Sequence, residues 1–148
     1  SLIARGLTTD RVVLCASPGY LRLAPPLRQP QDLADHSVIA YSLWSGGDSW
    51  TLTHRDGTRD KVAVRPCLRA NSGDTCRAAA LADQGVIFQP AFIVGPDLRA
   101  GRLVELLPHW QGPELAVQAL YPSRQHLSGK VRAMVDFLAQ AFRQPGWK

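Results

Sequence analysis

The most regular pattern of apolar and polar positions lies near the C-terminal end of the chain. Apolar residues recur there three and four positions apart, which places them along one side of an α-helix. These residues are Val131, Met134, Val135, Leu138 and Phe142. Ser128 stands where a helix N-cap is expected, and Gln144-Pro145-Gly146 ends the pattern. The stretch predicts an amphipathic helix with one apolar stripe.

Short apolar runs separated by turn residues predict β-strands in the rest of the chain. The run at 11–16 is continuous and β-branched, which is typical of a strand buried on both faces. The run at 50–54 alternates, and Asp56-Gly57 after it favours a tight hairpin. Further strands are predicted at 36–42, 61–65, 67–70, 86–88, 103–107 and 115–121, with an edge or a bulge at Pro66.

Helical segments alternate with these strands. Residues 74–84 predict a helix capped by Asn71 or Ser72, with Gly85 as the glycine that follows its C-terminus. Residues 91–100 predict a short helix that is interrupted at Gly95-Pro96, and shorter helical pieces are predicted at 20–21 and 31–34. Strands alternating with helices, together with one antiparallel hairpin, predict an α/β fold with a mixed sheet.

Composition and charge place the chain among ordinary globular domains. Its 148 residues are 45% hydrophobic and 20% charged, which suits one domain of average make-up. The formal net charge is +5, but the basic residues are dispersed, so direct contact with nucleic acid is not indicated. No apolar run is long enough to cross a bilayer and residues 1–5 do not begin a secretory signal, so we expect a cytoplasmic location.

The sequence offers no metal or catalytic motif. Its cysteines (Cys15, Cys67 and Cys76) are odd in number and match no metal-site spacing, so we interpret them as buried, reduced thiols and predict no metal and no cofactor. The histidines, at 36, 54, 109 and 126, lie in separate elements without a nucleophile nearby in sequence. We interpret the carboxylates as solvated or capping groups and predict that the chain is not an enzyme. These carboxylates are Asp32, Asp35, Asp74, Asp83 and Asp97.

The polar turn Asn71-Ser72-Gly73-Asp74-Thr75 is the strongest candidate for a binding site. A strand that ends in small polar residues and runs into a helix leaves free backbone N–H groups at the positive end of the helix dipole. A carboxylate or another polar ligand suits such a turn. Simple helix capping, with Asp74 favourable in the first turn, explains the same residues, and the local sequence leaves both interpretations open.

Two other turns follow predicted buried strands. Ser17-Pro18-Gly19 follows the strand at 11–16, and Gln89-Pro90-Ala91-Phe92 follows the strand at 86–88. In open α/β sheets ligands bind where strand ends face a crevice, so both turns are candidates for the same crevice as the polar turn. Phe92 then offers an apolar wall. Each turn is equally compatible with a plain chain reversal.

The order of these pieces resembles the effector-binding domain of LysR-type transcriptional regulators over nearly the full length of the chain. No single stretch is diagnostic, but they follow one another in the order of that family. The matching stretches are 11–21, 30–36, the strand at Trp50 with its Asp56-Gly57 hairpin, 68–75, 78–82, 85–92, 101–104, 121–124 and 130–138.

The resemblance implies a fold like the type-two periplasmic binding proteins, in which two α/β subdomains are joined by two crossover strands. Residues 1–10 would end the first subdomain, residues 11–121 would form the second subdomain with both crossovers, and residues 122–148 would return to the first. The crossovers are expected near 11–16 and 115–121. One subdomain would be complete and the other partial, because the family's helix-turn-helix and the opening of its effector domain are expected to be missing.

The resemblance also implies a function and a site. It implies a module that binds a small-molecule effector, such as a carboxylate or an aromatic acid, in the cleft between the subdomains of a dimer or tetramer. DNA would be contacted only through the missing helix-turn-helix domain. A periplasmic-type solute-binding protein of the same fold stays an alternative. The positions that correspond to the family's cleft are Ser17, Asn71, Ser72, Asp74, Thr75, Pro90 and Phe92.

Overall fold

A computed structural model describes residues 1–122 and 127–146. The expectations that concern Ser123, Arg124 and His126 therefore lie outside the described residues. The strands are β1 (Leu2–Ala16), β2 (Val38–Tyr41), β3 (Ser49–His54), β4 (Arg59–Ala63), β5 (Pro66–Ala70), β6 (Ile87–Pro90), β7 (Val104–Glu105), β8 (Trp110–Gln111) and β9 (Glu114–Pro122). The helices are α1 (Pro18–Leu23), a 3₁₀ helix (Pro30–Asp35), α2 (Gly73–Leu81), α3 (Ala91–Arg99) and α4 (Gly129–Ala141). None of the described helices is long and apolar enough to cross a membrane.

The main sheet is mixed, as the alternation of strands and helices predicts. Strand β1 lies between β6 and β7 and is antiparallel to both, with Val12 opposite Pro90 and Cys15 opposite Ile87. Strands β2 and β5 are parallel to each other. A parallel bridge between Val38 and Val86 connects this pair to β6. As a result, β2, β5 and β6 all run in one direction and β1 runs in the other.

Strand β1 is much longer than the apolar run at 11–16 predicts. Its first part, Leu2–Arg11, pairs with β9 in an antiparallel two-stranded ribbon that contains a register shift between Gly6 and Thr8. Its second part enters the main sheet. The ribbon alternates half-buried and exposed positions along β9, whereas residues 12–16 are buried on both faces. The division into subdomains at residues 10 and 121 stays a prediction.

A separate antiparallel sheet is formed by β4, β3 and β8 in that order. The Asp-Gly turn closes the β3–β4 hairpin as predicted, with Gly57 at a φ of 96°, where the absence of a Cβ avoids strain. Trp50 on β3 is buried, and its ring stacks on Phe88 of β6 with 5.1 Å between centroids. Aromatic packing therefore attaches this small sheet to one face of the main sheet.

The two faces of the main sheet support separate halves of the core. One half lies toward β3 and β4 and includes Val12, Leu14, Trp50 and Phe88. The other lies under α2 and α3 and includes Val13, Cys15, Cys76, Ala80, Ile87 and Val94. Consecutive residues of β1 alternate between these halves, which accounts for the continuous apolar run in the sequence.

Three boundary predictions are wrong for identifiable reasons. Helix α2 ends at Leu81, and the left-handed residue after it is Asp83 with a φ of 64°, so Gly85 is not its C-terminal glycine. Helix α3 continues through Gly95 and Pro96 without interruption, because burial of Val94, Gly95 and Asp97 in the tertiary structure outweighs the cost of an internal proline. The strand expected at 103–107 is only Val104–Glu105, because Leu107 takes a φ of 49° and turns the chain.

Helix α4 begins at the predicted cap, where the Oγ of Ser128 accepts a hydrogen bond from the N–H of Val131. Its predicted apolar stripe is only partly covered. Val135 is buried, but Met134 is 57% exposed. Arg5 on the ribbon donates to Asp136 at 2.9 Å, so the helix lies against the ribbon rather than against the main sheet.

The three cysteines are not all buried, contrary to the prediction. Cys15 and Cys76 are buried, whereas Cys67 is exposed. Cys67 lies at the register shift of the β2–β5 pair, where Val38 is opposite Pro66 and Ile39 is opposite Leu68. Being the extra residue of a bulge on an edge strand, it has no partner residue on β2 and faces solvent.

We predict that a thiol reagent at pH 8 modifies one cysteine of the native chain at once and the other two only on unfolding. Burial raises the pKa of Cys15 to about 12 and also raises the pKa of Cys76. The thiolate is the reactive species, so both residues are protected. The measurement is a time course with Ellman's reagent. In Cys67→Ser the fast phase should vanish, and a persisting fast phase would contradict the assignment.

Candidate functional site

One edge of the main sheet collects most of the predicted site residues. The C-terminal ends of the parallel strands β5 and β6 meet there, which brings Asn71 and Pro90 to the same edge. The antiparallel β1 enters the sheet at this edge, at Asp10 and Arg11. Helices α2 and α3 both begin here. The edge is therefore the meeting point of two helix N-termini and the ribbon.

The polar turn forms the start of α2. The Oγ of Ser72 accepts a hydrogen bond from the N–H of Thr75 at 3.4 Å, so Ser72 is the N-cap. Asn71, Asp74 and Thr75 are exposed. Capping and an exposed polar surface are thus both present at the turn, and the capping interpretation does not exclude the binding one.

Helix α3 is capped from another strand. Its N-cap residue, Pro90, has no side chain that can accept a hydrogen bond. The carboxylate of Asp10 on β1 accepts instead from the N–H of Phe92 at 3.0 Å and from that of Arg11 at 2.9 Å. Asp10 is only 4% exposed, whereas the Phe92 ring is 49% exposed at the surface of the edge. The position of Phe92 thus depends on a carboxylate at the base of the ribbon.

A shallow, open cavity of about 360 Å³ lies between the N-terminal turns of α2 and α3. Its wall combines polar and charged groups of α2 with apolar groups of α3. The lining residues are Ser72, Gly73, Asp74, Arg77, Phe92, Ile93 and Pro96. Among the predicted site residues, the structure places Ser72, Asp74 and Phe92 in this wall and Asn71, Thr75 and Pro90 next to it in the chain.

Arg77 in this wall is held by a buried carboxylate. Its Nε and Nη2 both donate to Asp97 of α3, the second at 2.9 Å, and the Nε of Arg102 donates to the same carboxylate at 2.8 Å. Asp97 is fully buried, so its interpretation as a solvated group is wrong. The hydrogen bond from Arg77 is the main reason that the pKa of Asp97 is lowered. This pairing joins α2 to α3.

Ser17 is not at this edge. Because β1 is antiparallel to β6, its C-terminal end lies at the opposite edge, beside the residues that precede β6. There the Oγ of Ser17 donates to Asp83 at 2.6 Å and accepts from the N–H of Tyr20 at 3.1 Å. The structure therefore separates Ser17 from the other predicted site residues by the length of the strand.

A second, larger depression of about 830 Å³ lies on the outer side of α3, against β1 and β7. It includes Asp10, Leu98 and Leu103, together with the Arg11–Glu105 ion pair at 2.8 Å. None of the predicted site residues lines it. Within residues 1–122 and 127–146, no group of three His, Cys, Asp or Glu side chains is arranged to hold a metal ion.

Sequence reasoning missed Asp10, Arg77 and Asp97. An aspartate before a buried strand and an arginine in an alanine-rich helix are ordinary in sequence. Their roles depend on partners that are 82 and 20 residues away in the chain. The only local signal was Pro90, which cannot cap α3 and so requires an acceptor from elsewhere.

Comparison with known proteins places this architecture in one family. The family model for the LysR substrate binding domain matches residues 1–143. The HTH-type transcriptional regulator PtxR of Pseudomonas aeruginosa is 38% identical over 139 residues, which cover 94% of this chain and 44% of PtxR. DmlR of Escherichia coli, also an HTH-type transcriptional regulator, is 32% identical over 148 residues, which cover 97% of this chain and 47% of DmlR. The chain thus spans about half the length of these relatives.

Solved structures give the same result. The regulatory domain of AphB from Vibrio vulnificus matches with a TM-score of 0.79 and 28% identity, over 95% of this chain and 70% of that one. The regulatory domain of CrgA, a LysR-type transcriptional regulator from Neisseria meningitidis, matches with a TM-score of 0.83 and 25% identity. The match covers 95% of this chain and 69% of the CrgA domain. The fold and the sequence therefore agree on the relatives of this chain.

We predict that Gly73→Ala destabilises the chain by about 1 kcal/mol, the low end of the range for overpacking, because the atoms that must move are the free ends of two side chains. A Cβ on Gly73 would clash with the Cδ1 of Ile93 and lie 2.7 Å from the Oε1 of Gln89. Gly129→Ala is the control, because Gly129 also opens a helix but has open space around it. Urea denaturation measures both variants. Equal stabilities would show that the start of α2 is not closely packed.

We predict that Asp97→Asn lowers the free energy of unfolding at pH 7 by about 1–3 kcal/mol. Breaking a fully buried ion pair costs more, but here both arginine partners are partly exposed to solvent. The pKa of Asp97 is lower in the folded than in the unfolded chain, so its contribution is complete above about pH 4 and is lost as the pH falls further. Wild type and variant should therefore converge in acid. Asp136→Asn, which affects an exposed pair, is the control.

Proposed function

The chain belongs to the LysR substrate-binding domain family, and we propose that it is the effector-sensing part of a DNA-binding transcriptional regulator. The expected fold, of the type-two periplasmic-binding-protein kind, is confirmed by the match to regulatory domains of LysR-type regulators. Because the chain spans about half of its relatives, contact with DNA belongs in this proposal to a helix-turn-helix domain outside the 148 residues. The ligand is a small molecule.

The observation that carries this proposal is the cavity between the starts of α2 and α3. It combines an exposed aromatic ring, a polar helix N-terminus and an arginine fixed by a buried carboxylate, which are the ingredients of a small-molecule site. The proposed binding residues are Asn71, Ser72, Asp74, Thr75, Pro90 and Phe92. Ser17 is omitted because it lies at the opposite edge of the sheet.

The ribbon of β1 and β9 supplies a route from the site to the rest of the protein. A ligand that binds better when the two subdomains are closed shifts the population toward the closed form. Asp10 ties the base of the ribbon to α3, so a change in the angle of the ribbon alters the position of Phe92. We propose that this movement changes the geometry of a dimer or tetramer and thereby the spacing of its DNA-binding domains.

The alternative of a periplasmic-type solute-binding protein has weaker support. The relatives PtxR and DmlR are both transcriptional regulators of the HTH type, and the matching structures are regulatory domains. Transcriptional regulators of this kind are not enzymes, and we propose that this chain also has no enzymatic activity. A regulator acts on chromosomal DNA, so we also propose a cytoplasmic location.

We predict that Ser72→Ala in the full-length protein weakens the rise in melting temperature that ligands produce. A screen of small carboxylates and aromatic acids by thermal shift identifies the stabilising compounds. Removal of the cap also lowers the melting temperature of the free protein, because an N-cap contributes about 1 kcal/mol. The relevant quantity is therefore the ligand-induced shift in each variant, measured from its own ligand-free baseline.

Ser128→Ala is the matched control for this experiment. Ser128 caps α4 with the same hydrogen bond that Ser72 makes at α2, but it does not line the cavity. It should lower the baseline and leave the ligand-induced shift unchanged. If the two serine variants respond alike to ligand, the start of α2 is not the binding site and the proposed function loses its structural basis.

A further inference from the structure

Gln89 differs from the other buried polar residues. Asp10, Ser17, His36 and Asp97 are also buried, and each has a hydrogen-bonding partner in the structure. The side chain of Gln89 is only 2% exposed, yet it makes no hydrogen bond with any residue of 1–122 or 127–146. A buried carboxamide without a partner destabilises a fold, so its presence requires an explanation.

The position of Gln89 connects it to the cavity. It is the next-to-last residue of β6, opposite Val13, and its side chain lies on the face that α2 and α3 cover. Its Oε1 is 2.7 Å from the point where a Cβ on Gly73 would be. Gly73 is the first residue of α2 and belongs to the cavity wall. The carboxamide therefore lies directly beside a residue of the cavity wall.

The surroundings favour a hydrogen-bond acceptor at this point. The first N–H groups of a helix have no partner within it, and they carry the positive end of its dipole. The carboxamide of Gln89 lies beside Gly73, the first residue of α2, without accepting a hydrogen bond from its N–H groups. A half-turn of the terminal torsion exchanges its oxygen and nitrogen, and Gln89 then presents an N–H donor to a ligand at the start of α2.

We propose that Gln89 is a specificity-determining residue of this cavity and that it favours ligands that carry a carboxylate. The inference rests on the proposed function and specifies the ligand class of the same site. The carboxylate accepts hydrogen bonds from the start of α2 and from the turned Gln89. Phe92, Ile93 and Pro96 contact the apolar body of the acid.

The charges of the wall leave the selection to hydrogen bonds. Asp74 repels an anion and Arg77 attracts one, and both line the cavity. The charge of Arg77 is in turn shared with Asp97 behind it. Since these ionic contributions oppose each other, hydrogen bonds make the selection. A carboxylate can accept from the start of α2 with one oxygen and from Gln89 with the other, whereas the NH2 group of an amide cannot accept.

Gln89→Met tests the role of the carboxamide, because methionine keeps the length and volume but removes both polar ends. With no hydrogen bond to lose, the variant should melt about 2–6 °C above the wild type in the absence of ligand. It should also bind acids at least about tenfold more weakly, the usual value of a charge-assisted hydrogen bond. A rise in stability combined with a loss of affinity distinguishes a ligand-binding role from a structural one.

The measurements use the full-length protein, thermal shift and isothermal titration. The probes are sodium acetate, succinate and benzoate, each paired with its amide (acetamide, succinamide and benzamide). Gln118→Met is the matched control, because Gln118 is an exposed glutamine of β9. It should change neither the melting temperature nor the affinity.

Each outcome decides a different point. Stabilisation by an acid but not by its amide, lost in Gln89→Met and kept in Gln118→Met, supports the proposal. A lower melting temperature of ligand-free Gln89→Met, or unchanged affinity for the acid, overturns the role of Gln89. Amides that bind as well as acids, or acids that do not bind at all, overturn the carboxylate assignment. The proposed function is tested separately, by comparing the two serine variants with whichever compound stabilises the wild type, whether that compound is an acid or a neutral molecule.

Discussion

Strand β1 is hydrogen-bonded to three other strands, and the arrangement of the molecule depends on this sharing. Its first part forms the ribbon with β9, and its second part passes between β6 and β7 in the main sheet. Because this central strand is antiparallel to β6, it enters the sheet where β5 and β6 end. The ribbon, the two helix N-termini and the cavity therefore meet at one edge, and the loop after β1 lies at the other.

Two buried carboxylates then give this edge its shape. Asp10 replaces the cap that Pro90 cannot provide and so fixes the start of α3 to the ribbon. Asp97 pairs with Arg77 and so fixes α3 to α2. Both carboxylates bind groups from other elements, and neither is available to solvent. The cavity wall is thereby coupled to the ribbon through hydrogen bonds rather than through apolar contact alone, which suits a domain that transmits ligand binding.

Local sequence patterns predicted the strands and helices better than the tertiary contacts between them. The cap at Ser128, the Asp-Gly hairpin and the mixed α/β sheet follow from residues close together in the chain, and all are confirmed. The order of short stretches also indicated the LysR family, which the family model confirms. The candidate site was predicted in part: the polar turn and Phe92 lie at one edge, but Ser17 lies at the other, because a mixed sheet predicted from sequence does not say which strands are antiparallel.

The sequence by itself determined which segments become strands and helices, because periodicity and capping act within a few residues. It also determined that residues 12–16 are buried on both faces, because their apolar run is unbroken. Only the tertiary structure decided that β1 is antiparallel to β6, that Asp10 caps α3, and that Gln89 lies unpaired behind Gly73. Strand direction, a cap from another strand and a missing partner all depend on chain segments far apart in sequence, which meet only when the whole sheet has formed.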